Sequence, residues 1–157
     1  MPTARSDLAA VVVQGTIYVI GGNPGYGSTT RLKAVESYDI ASNTWTQRTG
    51  LTVGRDAVAA GVIGGLIYVW GGWTGTARVN TLDQYIIATD RWKITATFPT
   101  ARSSLGGVAI DNYLYAIGGN TAAAAGDHTV QRYSVSGGWT TLTRLITGRQ
   151  DFATVAL

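Results

Sequence analysis

Tyr18-Val19-Ile20-Gly21-Gly22 is met twice more along the chain, as Tyr68-Val69-Trp70-Gly71-Gly72 and as Tyr115-Ala116-Ile117-Gly118-Gly119. An arginine lies thirteen residues before each tyrosine (Arg5, Arg55, Arg102), and a small-residue apolar run fills the interval. Downstream, a Tyr and a Trp follow at seven, seven and six residues from one another (Tyr38–Trp45, Tyr85–Trp92, Tyr133–Trp139). A period near 50 residues with this much register restricts the chain to an array of like units, each too small to bury an apolar face alone.

Each unit reads as strands. In the first, Leu8 to Val13 is small and branched, and Gln14-Gly15 has the form of a two-residue hairpin turn. Thr16 to Ile20, Ala34 to Asp39 and a short strand carrying Trp45 complete four antiparallel strands, with a turn around Ala41-Ser42-Asn43. The second unit repeats the order with strands Val58 to Ile63 and Leu66 to Trp70. The third repeats it with Leu105 to Ile110 and Tyr113 to Ile117, joined by Asp111-Asn112. A fourth unit opens at Gly148-Arg149 and continues as one strand, Phe152 to Leu157. The expected units are about 3–51, 52–99 and 100–146, with a further first strand over about 147–157. The length between signature positions varies mainly after the Gly pair, which marks that loop as the free one. Strands repeated at this period predict a β-propeller, one four-stranded blade per unit.

The pattern resembles the kelch repeat: a Gly pair ending the second strand, then a spaced Tyr and Trp. The resemblance covers the whole chain and implies an all-β, kelch-type propeller arc of three blades plus one extra strand. Closed propellers have roughly four to eight blades. Three blades therefore suggest half of a six-bladed ring, completed by more chain or by a second copy in a homodimer. In a three-plus-three ring the segments Leu8–Val13 and Phe152–Leu157 would compete for one slot, so one terminus would be displaced. The opening Met1-Pro2-Thr3-Ala4-Arg5 reads like the interior of a repeat.

Composition removes several function classes. The net charge is +3, and the arginines are spaced along the repeats instead of forming the dense basic stripe that nucleic acid requires. No cysteine is present, so disulfides and thiolate metal sites are absent. The longest apolar stretch, Val58 to Trp70, is short for a membrane helix and interrupted by glycines. No secretion signal is visible, and no compartment follows from the sequence.

Strand direction places the candidate site. The start of each first strand and the loop after each second strand share one face of a blade. Arg5, Arg55, Arg102 and Arg149 should therefore lie on the face that carries Tyr26, Arg31, Trp73, Arg78 and His128. Guanidinium binds carboxylate through paired hydrogen bonds, so this face suits an acidic peptide, protein or glycan. In kelch domains that bind acidic peptides, arginines at this first-strand position contact the ligand, and these four occupy the matching positions. The competing expectation is a scaffold role, with the arginines paired to Asp7, Asp56 and Asp151 or to loop carbonyls.

His128 is the only histidine and has no neighbouring ligand or nucleophile signature, so no metal, cofactor or catalytic set is expected. The glycines at 22, 25 and 27 lack the Lys-Ser/Thr of a phosphate loop. Asp39 and Asp90 read as turn formers, and Glu36 is the only glutamate. The leading expectation is a non-catalytic binding module. The alternatives are a fragment of a kelch-type enzyme similar to the sialic-acid mutarotases, or a purely structural arc. Copper-radical oxidases similar to galactose oxidase use the same repeat, but their Cys and His ligands have no counterpart here.

Overall fold

The computed structural model describes residues 1–25 and 27–156. Twelve strands form three antiparallel sheets, each with its strands in chain order. Blade 1 contains β1 (Ala9–Val13), β2 (Thr16–Ile20), β3 (Val35–Asp39) and β4 (Thr44–Arg48). Blade 2 contains β5 (Ala59–Ile63), β6 (Leu66–Trp70), β7 (Thr81–Ile86) and β8 (Arg91–Thr97). Blade 3 contains β9 (Gly106–Ile110), β10 (Tyr113–Ile117), β11 (Val130–Ser134) and β12 (Gly138–Thr141). The first strands start one residue later than the apolar runs suggest, because Leu8, Val58 and Leu105 precede the ladder.

Alternation along each second strand divides the core. Ile67 and Val69 of β6 join Tyr18, Ile20 and Val35 in a cluster between blades 1 and 2. Tyr68 and Trp70, pointing the other way, join Leu114, Ala116 and Tyr133 between blades 2 and 3. The repeated Tyr and Trp are direct cross-strand partners in all three blades. Their ring centroids lie 5.0, 4.9 and 5.3 Å apart. A second tyrosine contact crosses each blade boundary, Tyr18 to Tyr85 at 6.1 Å and Tyr68 to Tyr133 at 6.5 Å. The units thus pack face to face, an arc of kelch-type blades with β1, β5 and β9 on the inside.

A backbone belt binds the arc along its inner edge. Two residues after each repeated arginine the chain turns left-handed, at Asp7, Ala57, Ser104 and Asp151 (φ 52, 50, 53 and 54°). Each of the last three donates to its counterpart one blade back: Ala57 N to Asp7 O at 2.8 Å, Ser104 N to Ala57 O at 3.0 Å, Asp151 N to Ser104 O at 3.1 Å. The Gly pair serves a second inter-blade bond. Gly22, Gly72 and Gly119 donate their N–H to the carbonyls of Arg55, Arg102 and Arg149 at 2.9, 2.8 and 2.8 Å. A side chain on the preceding glycine, Gly21, would strike the Arg55 carbonyl, and its φ of +66° already favours glycine.

The strand expected over Phe152–Leu157 is not formed among the described residues. Residues 152–156 instead lie beside β9, with Thr154 Oγ1 accepting from Gly107 N (3.0 Å) and donating to Gly107 O (2.8 Å). A ladder needs a second strand, and blade 3 already holds its four.

Candidate functional site

Arg5, Arg55 and Arg102 turn inward. Arg5 Nη1 donates to the carbonyls of Gly21 (2.9 Å) and Ala34 (2.8 Å), and Nη2 pairs with Glu36 at 3.0 Å. Arg55 donates to Thr81 Oγ1 (2.7 Å) and pairs with Asp83 at 2.6 Å. Arg102 donates to the carbonyls of Gly118 (3.0 Å) and Thr129 (3.1 Å) and to Gln131 Oε1. Arg55 and Arg102 are 1% and 0% exposed. Burial pulls both guanidinium pKa values down, opposed at Arg55 by Asp83 and at Arg102 by Asp127. Arg5 and Arg102 therefore clamp the end of the second strand of their own blade to the third, and Arg55 is anchored on the third strand of blade 2.

The acids expected to pair with them do otherwise. Asp7 accepts from Ser6, Asp151 accepts from Gln150, and Asp56 pairs with Arg31 of the neighbouring loop. These three residues sit at or beside the left-handed corner, where the chain turns away from the guanidinium. The true partners, Glu36, Asp83 and Gln131, lie 28 to 31 residues downstream on third strands. In sequence they are the polar residues two before each repeated tyrosine (Glu36-Ser-Tyr38, Asp83-Gln-Tyr85, Gln131-Arg-Tyr133), a signal that periodicity carries and sequence proximity hides.

Exposed chemistry on the loop face lies elsewhere. The bridges Ser6–Asn23, Asp56–Trp73 and Ser103–Asn120 draw each first-strand entry against the loop after the Gly pair. Between them is a cavity of about 390 Å³ lined by Asp7, Asn23, Arg31, Asp56, Trp73, Arg78 and Ser103, among others. Arg78 stacks on the Trp73 ring with its guanidinium carbon 5.4 Å from the centroid. Among the described residues Arg78 has no ion pair and no side-chain hydrogen bond. Burial raises the Asp56 pKa, partly offset by Arg31.

Of the nine predicted site residues, the cavity gathers Arg31, Trp73 and Arg78. Arg5, Arg55 and Arg102 are inside the blades, and Arg149 is exposed at the far end of the arc, its Nε 3.4 Å from Thr147 O. His128 lies in the third loop, with Nδ1 3.0 Å from the Leu145 carbonyl and its ring against Gly148. Tyr26 falls outside the described residues. Sequence reasoning missed the lining contributed by Asn23, Ser103 and Ser104, which only the folding of three blades side by side brings together.

Comparison with known proteins agrees with this geometry. A family description, the KLHDC2/KLHL20/DRC7 Kelch-repeats domain, matches residues 1–150. Kelch-like ECH-associated protein 1B of Danio rerio is 36% identical over 69 residues, which is 43% of this chain and 12% of that protein. Alpha-scruin of Limulus polyphemus is 38% identical over 74 residues, 47% of this chain and 8% of that protein. Among solved structures, YjhT superposes with a TM-score of 0.80 at 16% sequence identity, over 93% of this chain and 54% of that one. This chain thus spans about an eighth or less of those two relatives and roughly half of YjhT. The matched repeats, the three blades and the Gly-pair junctions agree: this chain belongs to the kelch-repeat family.

Proposed function

We propose that this chain is a non-catalytic interaction module whose loop face receives an acidic peptide, protein or glycan. Membership of the kelch-repeat family supports a role in binding protein partners. The observation that carries the finer reading is Arg78, a guanidinium held against Trp73 at the cavity wall with its hydrogen-bond donors uncommitted among the described residues. Stacking fixes the plane of the guanidinium and leaves its edge free for a carboxylate. Arg31, already engaged with Asp56, and the Ser103 hydroxyl supply further polar contacts. We also propose that the arc associates with a second copy of itself.

An array of acidic peptides and sialylated glycans tests the binding reading. Arg78→Ala is expected to weaken the selected ligand by roughly 1.5–3 kcal/mol, about tenfold to a hundredfold in Kd, with melting unchanged. Failure to bind any acidic probe, or binding indifferent to Arg78→Ala, contradicts it. The mutarotase-like alternative uses an anionic sugar at the same cavity and differs in outcome: NMR would show faster anomer exchange of sialic acid when the protein is added.

A further inference from the structure

The cavity between the loops is charged without being basic. Its lining carries two guanidinium groups, Arg31 and Arg78, and two carboxylates, Asp7 and Asp56, and the other residues that line it are uncharged. Arg31 is engaged with Asp56. One charge of each sign is left: Arg78 on its tryptophan, and Asp7 at the left-handed corner of blade 1. Asp7 is exposed, accepts from the Ser6 hydroxyl, and has no cationic partner among the described residues.

Position in the repeat separates Asp7 from the loop arginines. Arg31 of blade 1 reaches Asp56, the residue directly after the repeated Arg55. The same position in blade 1 is Ser6, and Asp7 stands one residue further on, where blades 2 and 3 carry Ala57 and Ser104. All three corner residues line the cavity, and Asp7 alone among them brings a charge. Burial raises the Asp56 pKa, Arg31 opposes the rise and the Asp7 charge adds to it, so the two carboxylates are within electrostatic reach of each other.

Backbone hydrogen bonds hold these two charges in fixed relation. Ala57 N donates to Asp7 O at 2.8 Å, while Asp56, the residue before it, exchanges two bonds with Trp73 at 3.0 and 2.9 Å. Trp73 in turn bridges to Arg78 across a loop closed by Thr74 N to Ala77 O at 2.9 Å. The pair Asp56-Ala57 thus carries the acid on one residue and the Trp73–Arg78 loop on the other. Both poles are set before a ligand arrives, which lowers the ordering cost of binding. A second acidic group on the ligand would meet Asp7 as a like charge and lose affinity, whereas a basic group would meet an unpaired carboxylate. The volume of about 390 Å³ is at the small end of ligand clefts, roughly 300–1,000 Å³, and suits two neighbouring side chains. Resting on the loop-face binding proposed above, we infer that the ligand is a peptide segment carrying an acidic and a basic side chain close together, the acid on Arg78 and the base on Asp7.

Fluorescence polarisation on the full chain tests this with short peptides in which Glu and Lys are adjacent or one residue apart. Each is compared with the same peptide carrying Gln for Lys, and with the one carrying Gln for Glu. The Glu–Lys peptide is expected to bind roughly threefold to tenfold tighter than its Gln-for-Lys form, the worth of one part-exposed charge-assisted contact. Gln for Glu should weaken binding, as Arg78→Ala does. Asp7→Asn keeps the left-handed corner, because Asn tolerates positive φ, and should bring the Glu–Lys and Glu–Gln peptides to equal affinity. Equal affinity of those two on the native chain, with Arg78→Ala still weakening both, overturns the inference and leaves the acidic-ligand reading standing. A Lys preference that survives Asp7→Asn also overturns it, since the base then rests elsewhere. Absence of any Glu-dependent binding overturns both.

Discussion

Arg55 and Asp83 show what the repeated spacing of the arginines is for. Both are nearly inaccessible, and their 2.6 Å contact offsets part of the cost of removing two charges from water. Truncating one partner leaves the other charge buried alone. Asp83→Ala or Arg55→Ala is therefore expected to cost about 3–5 kcal/mol, read from urea unfolding, whereas an apolar pair of similar volume at both positions recovers most of the loss. A cost near zero for either single change would place the guanidinium in solvent. The arginines themselves were legible in the sequence, since four recur in register. Their partners were not, because a residue beside an arginine in sequence, such as Asp56, can be carried away by one left-handed residue at Ala57.

Strands and junctions impose tighter limits than single contacts. β9 begins Gly106-Gly107 because the preceding blade and the 152–156 segment press on both sides of it. A methyl group at Gly107 would overlap Ala59 and stand 2.7 Å from Trp70 Cζ2. Gly107→Ala should cost on the order of 1–3 kcal/mol by overpacking, seen as a lower melting temperature with unchanged circular dichroism. The turn between β7 and β8 links blades instead of closing a hairpin alone. Asp90 accepts from the Tyr85 hydroxyl and from Thr49 N (2.9 Å), and Trp92 Nε1 donates to Thr49 O (2.8 Å).

The Tyr85 hydroxyl and the Thr49 N–H hold the Asp90 carboxyl below its usual pKa, so its folded state prefers the charged form. Its contribution to stability is full above the unfolded pKa of about 3.9 and is lost as pH falls through the lower folded value. The melting difference between the native chain and Asp90→Asn should thus shrink below about pH 4. A difference that does not change with pH would contradict this. The sequence identified Asp90 as a turn former; its bond to a preceding blade depends on a contact 41 residues away and has no local trace.

The arc as a whole follows from repetition. Gly pairs, tyrosines and tryptophans at fixed spacing determine the blade count and the direction in which each face looks, and all three sheets carry the same strand order. The terminal segment departs from the expected strand, because Phe152 to Ala156 has the sequence of a first strand without the second strand that would make it one. The cavity is legible in part: loop position identifies Trp73, Arg31 and Arg78, while the inward turn of Arg5, Arg55 and Arg102 depends on the third-strand residues Glu36, Asp83 and Gln131. At this scale the proposed self-association asks a second copy to cover the outer faces of blades 1 and 3. Sedimentation equilibrium of the 157-residue chain over a wide dilution series measures it directly. The proposed self-association predicts a species of two chains that persists on dilution, and a single-chain mass of 16.5 kDa at every concentration would contradict it.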